Sequence, residues 1–107
     1  MTAMTESLRT AIANARLAEM ARSEVAAGMA LLDSHRPNWR RLVDPASIDI
    51  GDGAVCALGQ IFGSYSNGLQ YLHDRGATEL NKHGFHSSAG GPGHSTLTAQ
   101  WKEMLAA

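Results

Sequence analysis

The chain is poor in cysteine, has no excess of charge of one sign and lacks a long apolar run. Cys56 is the only cysteine among 107 residues, so no disulfide can form within the chain. Nine basic residues against ten acidic ones leave a net charge of -1, so no overall field attracts nucleic acid or an anionic membrane. Neither a signal peptide nor the roughly 20 apolar residues that span a bilayer are evident. We therefore expect a cytoplasmic protein that does not bind membranes.

Proline is scarce and strand-like alternation is rare, whereas apolar residues recur at helical spacing. The stretch from about Thr5 to Leu32 is rich in helix-forming residues and contains no proline, which predicts a long helix. Shorter helical patterns follow at 55–62, 66–72, 78–83 and 95–105. Ile48 and Ile50 alternate with polar residues, but no second strand of similar strength could pair with them, so we expect an extended connector. The sequence predicts an all-α single domain over residues 1–107, with a long helix at 1–30, several short helices and a C-terminal helix.

The apolar stripe of the first helix is longer than its own domain can cover. Some 28 residues extend to about 42 Å, well beyond the radius of a compact domain of this size. Either the helix breaks near Gly28, or its N-terminal half reaches another chain, or that half is a frayed and solvated end. We favour a homodimer. The stripe residues that we assign to its interface are Leu8, Ala11, Ala15, Ala18 and Val25.

A basic turn at residues 35–41 surrounds a tryptophan, which is the one place where cationic and aromatic groups are interleaved. The residues that we assign to a partner-binding surface are Arg36, Trp39, Arg40 and Arg41. The partner could be the acidic surface of another protein or, as the alternative, nucleic acid whose phosphates the arginines hold while a base stacks on the indole. Trp39 could instead anchor the core while the arginines pair with Asp33 and Asp44.

Two sets of residues could carry chemistry, although neither has a strong pattern. Cys56 lies near a helix start, where the helix dipole lowers a thiol pKa, but its apolar neighbours favour a buried thiol. His83, His86 and His94 could present imidazoles to zinc, but they lie in or beside a flexible glycine-rich loop without the HExxH pattern. We therefore predict no catalytic residue, no metal site and no cofactor, and the sequence leaves open whether Cys56 or the histidines have a chemical role.

The most distinctive stretch runs from Cys56 to Leu72 and reads CALGQIFGSYSNGLQYL. Together with PNW, IDI, HGF and LTAQWKEML, it resembles small uncharacterised proteins of actinobacteria and their phages that share a CxLGQxFGxY segment. The resemblance covers roughly Leu31 to Leu105 and implies a phage-encoded accessory protein in the cytoplasm of a bacterial host. Some of those proteins have a second cysteine at the position of Gly53, so no CxxC pair exists here.

The spacing within the 56–72 stretch nevertheless indicates a structural role. Its glycines are placed to end helices or to let them approach closely. The apolar residues that we expect to face the core are Val55, Leu58, Ile61, Phe62, Tyr65, Leu69 and Leu72. We therefore predict a small non-enzymatic helical interaction protein that binds itself and a host protein, with a nucleic-acid-binding regulator as the alternative.

Overall fold

Four α-helices and two 3₁₀ turns build the fold in a computed structural model that describes residues 2–107, with side chains from residue 7 onward. The elements are α1 (Thr2–His35), a 3₁₀ turn (Trp39–Leu42), α2 (Ala57–Phe62), α3 (Tyr65–Asp74), a second 3₁₀ turn (Leu80–Lys82) and α4 (His94–Ala106). No strand occurs within residues 2–107. The predicted all-α fold class, with its long first helix and its C-terminal helix, is confirmed; Met1 of the predicted 1–30 helix lies outside the described residues.

Helix α1 is longer than predicted and continues through Gly28 without a break. It has 34 residues and extends beyond Leu32 to His35, and Pro37 follows two residues later. The proline has no N–H to continue the helical ladder. Gly28 is required for close packing, because the carbonyl of His83 and the ring of Phe85 lie directly against its Cα. The molecule is accordingly elongated, with extents of 53 × 27 × 21 Å.

The core lies where the C-terminal half of α1 packs against α4. Two tryptophans are at its centre, since Trp39 meets Trp101 edge to face with ring centroids 6.1 Å apart. Phe85 stacks on Trp101, and the Trp101 Nε1–H donates to the Gly84 carbonyl at 2.7 Å. Buried on the α1 side are Ala21, Val25, Met29 and Leu32. Val25 is thus a core residue of its own chain, which corrects its assignment to a dimer interface.

The segment between the 3₁₀ turn and α2 is the extended connector that the sequence predicted. Ile48 and Ile50 are 2% and 3% exposed and belong to the core. The Ile50 N–H donates to Thr98 Oγ1 of α4 at 2.9 Å, which attaches the connector to the last helix. Ahead of α2, Asp52 accepts the Ala54 N–H at 2.9 Å within a turn.

The 56–72 stretch folds as the α2–α3 pair and has the structural role that its spacing predicted. Cys56 caps α2 by accepting the Gly59 N–H on its sulfur at 3.3 Å. A Cβ at Gly68 would lie 2.6 Å from the Leu58 Cβ, so glycine permits the close contact of the two helices. Gly63 ends α2 with φ of 94°, a left-handed conformation that favours glycine.

Several helix starts differ from the predicted ones by one or two residues. Ser64 caps α3 by accepting the Asn67 N–H at 3.0 Å, so α3 begins at Tyr65, one residue before the predicted start at residue 66. Helix α4 begins at His94, directly after Gly93 and one residue before the predicted start at residue 95. The apolar spacing that identified both helices is unaffected by these shifts.

Candidate functional site

Residues 7–20 of α1, which we call the α1 extension, lie outside the core. The first core residue of the helix is Ala21, and the extension continues for about 21 Å before it. Its large apolar side chains are exposed, Leu8 by 62%, Ile12 by 49% and Met20 by 43%. Three residues of the predicted dimer stripe, Leu8, Ala11 and Ala15, are exposed, and Ala18 is half-buried. The extension therefore presents an apolar face that the rest of the described chain does not cover.

A groove of about 700 Å³ lies where the extension joins the body of the protein. Met20 and Glu24 of α1 form one wall, and Lys82 and the glycine-rich loop at 88–91 form the other. Burial raises the pKa of the Glu24 carboxyl, and the nearby His83 opposes that rise. Because Met20 lies about 80–120° around α1 from Ile12 and Leu8, this groove with a charged rim lies beside the exposed apolar face and not within it.

Trp39 of the basic turn is fully buried, which removes it from the predicted partner-binding surface. Its Nε1–H donates to Asp33 Oδ1 at 2.8 Å, and its exposed fraction is 0%. A buried indole cannot stack on a nucleic acid base. Trp39 anchors the turn to the core, which is the alternative that the sequence had offered.

Arg40 is held against the body of the protein by a cation–π contact with Trp39 and an ion pair with Asp33. Its guanidinium carbon lies 4.6 Å from the centroid of the Trp39 ring, and its Nη1 lies 3.6 Å from Asp33 Oδ1. Asp44, the other predicted partner of the arginines, is engaged locally. Its carboxylate accepts the Ser47 hydroxyl at 2.7 Å, and this hydrogen bond, with one from a backbone N–H of the same turn, lowers its pKa.

Arg36 and Arg41 line a cleft that we call the arginine cleft. Its volume is about 450 Å³, and its walls are His35, Arg36, Pro37, Asn38, Arg41, Leu42 and Tyr71. Arg75 lies behind one wall, with its guanidinium carbon 3.4 Å from the centroid of the Tyr71 ring. Sequence reasoning missed Tyr71 as a wall of this cleft, because Tyr71 lies 30 residues beyond Arg41 and only the tertiary fold places it beside the basic turn.

The cleft arginines carry charge that no acidic residue of the described chain compensates. Within the described side chains, no carboxylate lies within the 4.0 Å of an ion pair from Arg36, Arg41 or Arg75. No hydrogen bond among those side chains engages the guanidinium of Arg36 or Arg41. In the basic turn, Trp39 and Arg40 therefore have structural contacts, whereas the guanidinium groups of Arg36 and Arg41 are free to bind a ligand within the described structure.

Cys56 is buried, and its surroundings favour the neutral thiol. Its sulfur is 3.9 Å from the Gly53 carbonyl, to which the S–H donates, and it accepts the Gly59 N–H. Burial raises the pKa of the Cys56 thiol, although the accepted backbone hydrogen bond opposes the rise. A raised pKa and an exposed fraction of 1% do not favour the thiolate that a nucleophile requires.

The three histidines considered for zinc do not converge. The rings of His86 and His94 are 4.7 Å apart and edge to face. His83 instead stacks on Phe85 at 6.2 Å, with its Nδ1 2.8 Å from the Glu79 carbonyl. Among the described residues, no group of three or more His, Cys, Asp or Glu side chains is placed to hold a metal ion.

Comparison with known proteins adds no relative to this description. No protein-family model matches the chain, and no curated protein or solved structure matches it either. Across residues 2–107, none of the helices combines the length and apolar character needed to cross a membrane.

Proposed function

We propose that this chain is a small non-enzymatic interaction protein that forms a homodimer through the α1 extension and acts by binding another protein. The observation that carries the proposal is the exposed apolar face of residues 7–20, with Leu8 62% and Ile12 49% exposed on a preformed helix. An apolar face that its own domain leaves in water is the usual mark of a protein contact.

The spacing of the face favours another helix as its occupant. Leu8 and Ala15 are seven residues apart, as are Ala11 and Ala18, which is the a and d repeat of a two-helix seam. Such a seam is narrow, so it suits one partner helix better than a broad surface. Its alanines let the two backbones approach closely, while Leu8 and the adjacent Ile12 supply most of the apolar area.

The charges on the extension favour antiparallel pairing of two identical copies. A two-fold axis near Ala13 would align Leu8 with Ala18 and Ala11 with Ala15 of the other copy. It would leave Arg9 of each copy about half a helical turn from Glu19 of the other, within reach of the long arginine side chain. Each such pair contributes only a few tenths of a kcal/mol at an exposed position, but both pairs favour the same orientation. We therefore infer an antiparallel dimer in which the two bodies lie at opposite ends of the seam.

The resemblance to actinobacteriophage proteins is the reason to look for the second partner in an actinobacterial host cell. A nucleic-acid-binding role remains the alternative for the basic turn. That role would have to rely on Arg36 and Arg41, because Trp39 is buried and offers no stacking surface.

Sedimentation equilibrium over a wide concentration range tests the dimer. We expect a dissociation constant in about the micromolar range. Leu8→Glu with Ile12→Glu should weaken it at least about 100-fold, because four half-exposed side chains worth about 1 kcal/mol each are lost from the dimer.

Thr10→Glu with Ala13→Glu is the matched control. It adds the same two charges at exposed positions on the opposite side of the helix and should leave the dissociation constant within about threefold, since exposed charges act weakly. A wild-type protein that sediments as a monomer at every concentration contradicts the dimer, and equal weakening by both double variants contradicts the assigned face.

A further inference from the structure

The arginine cleft has the properties of a binding site that the proposed dimer does not use. The α1 extension begins at the opposite end of the same helix, so the cleft stays open in the inferred dimer. Arg36 and Arg41 face the cleft without an acidic partner among the described side chains. Asn38 also lines it, and its side-chain amide makes no capping hydrogen bond to the 3₁₀ turn.

The backbone that carries both arginines is fixed to the core. The Trp39 N–H donates to the Arg36 carbonyl at 3.0 Å, and the Arg41 N–H donates to the Asn38 carbonyl at 3.2 Å. Across the cleft, the Tyr71 hydroxyl donates to the His35 carbonyl at 3.1 Å. Because these contacts hold the backbone of both walls in place, a ligand would need to order only the side chains of the cleft.

We infer that the arginine cleft binds a phosphate monoester whose organic part is apolar. Two guanidinium groups balance the charge of about -2 on such a phosphate, and their planar donor forks match its oxygens. The remaining walls suit an apolar group, since Pro37, the ring of Tyr71 and the 45% exposed Leu42 provide carbon surface. A carboxylate would leave one guanidinium uncompensated.

The surroundings of the cleft favour a single compact anion over a nucleic acid strand. Next to it, Arg40 is already paired with Asp33, and the whole chain has a net charge of -1. A polyanion needs a basic track that extends over several phosphates. Within the described residues, Arg36 and Arg41 line the same cleft of about 450 Å³, which suits one phosphate group better than a strand.

Phenyl phosphate is the probe that tests the site, in a titration of the intact chain followed by backbone amide NMR. We expect saturable shifts in residues 35–42 and at Tyr71, with a dissociation constant in about the millimolar range. Inorganic phosphate should bind several-fold more weakly, because it lacks the apolar group. Phenylacetate should also bind more weakly, because its single charge engages one guanidinium less well.

Arg36→Gln with Arg41→Gln should weaken phenyl phosphate binding at least about tenfold. Arg16→Gln with Arg22→Gln, which removes the same charge from exposed positions of α1, should leave it within about twofold. Asn38→Asp is a further variant that keeps both arginines and places a carboxylate in the cleft; it should weaken binding too, so the test does not depend on the double variant folding.

Several results would overturn the inference. If the NMR shifts increase linearly with phenyl phosphate to about 10 mM, the cleft is not a binding site. If both double arginine variants lose the same affinity, binding reflects only the overall charge of the protein. If a DNA oligonucleotide binds more tightly than phenyl phosphate, and its affinity falls with salt as expected for the release of several counterions, the ligand of the cleft is a nucleic acid and not a phosphate monoester. Failure of the dimer leaves the inference untouched, because none of its contacts lies in the α1 extension.

Discussion

Replacing Gly28 by alanine separates what helix propensity predicts from what the packing of α1 predicts. Gly28 lies inside a helix, and alanine is favoured over glycine there by about 0.8–1.0 kcal/mol. Propensity alone therefore predicts a more stable protein. In the structure, however, a Cβ at Gly28 would collide with the carbonyl oxygen of His83 and lie 3.3 Å from Cε1 of Phe85.

The packing term is the larger of the two. Forcing an extra carbon into a packed core costs about 1–3 kcal/mol, and the cost lies at the upper end here because the obstacle is backbone. Moving the 83–85 segment away would also expose part of Phe85, now 1% exposed, and strain the 2.7 Å hydrogen bond from Trp101 to Gly84. After subtraction of the propensity gain, we expect Gly28→Ala to destabilise the fold by about 2 kcal/mol.

Urea and thermal unfolding followed by circular dichroism measure the effect. A loss of about 2 kcal/mol corresponds to a fall in Tm of roughly 10 °C for a domain of this size. Ala26→Gly is the control, because Ala26 is exposed on the same helix and should cost only about 1 kcal/mol by propensity. A Gly28→Ala protein as stable as the wild type, or more stable, would refute the close approach of α1 to the 83–85 segment.

Two further predictions concern the 56–72 stretch. Gln60→Ala should destabilise the fold by about 1–3 kcal/mol in urea unfolding, because Gln60 accepts the Asp44 N–H at 2.6 Å and donates to the Val55 carbonyl at 2.9 Å; an unchanged midpoint contradicts this. Because burial raises the pKa of Cys56, its thiol ionises at lower pH in the unfolded chain than in the folded one. The stability that this difference contributes is fully present below the pKa of the unfolded thiol and is lost as the pH rises through the pKa of the folded one. Stability should therefore decline above about pH 8.5, less steeply in Cys56→Ala, and equal slopes in the two proteins would contradict it.

Local patterns in the sequence were sufficient to predict the helices and the role of the 56–72 stretch. Spacings of three and four identify a helix whatever it packs against, so α1 to α4 were located even where their first residues were misplaced. The alternation at Ile48 and Ile50, with no second strand to pair with, likewise predicted the extended connector. The glycines at 63 and 68 follow a helix or lie opposite a large side chain, and both roles can be inferred from neighbouring residues.

Features that depend on contacts between distant residues were not predictable. Gly28 was one of the predicted alternatives for a helix break, because nothing near it in sequence shows that the 83–85 segment packs there. Likewise, a tryptophan among arginines has the composition of a binding surface, and only the fold shows that Trp39 meets Trp101. The arginine cleft also depends on Tyr71, whose approach to the basic turn is a property of how α3 packs.

Helix α1 separates the two proposed binding surfaces, and its buried half keeps the α1 extension helical before any partner binds. A free peptide of 14 residues would be only marginally helical, because nucleation is costly. In this chain the buried half of α1, from Ala21 to Leu32, already forms the helical nucleus. The free energy of association therefore does not have to offset the cost of helix nucleation. The arginine cleft lies at the other end of α1, and some 24 helical residues between Ile12 and Arg36 separate it from the seam by about 36 Å. Groups so far apart act additively, so occupancy of one surface should leave the affinity of the other unchanged.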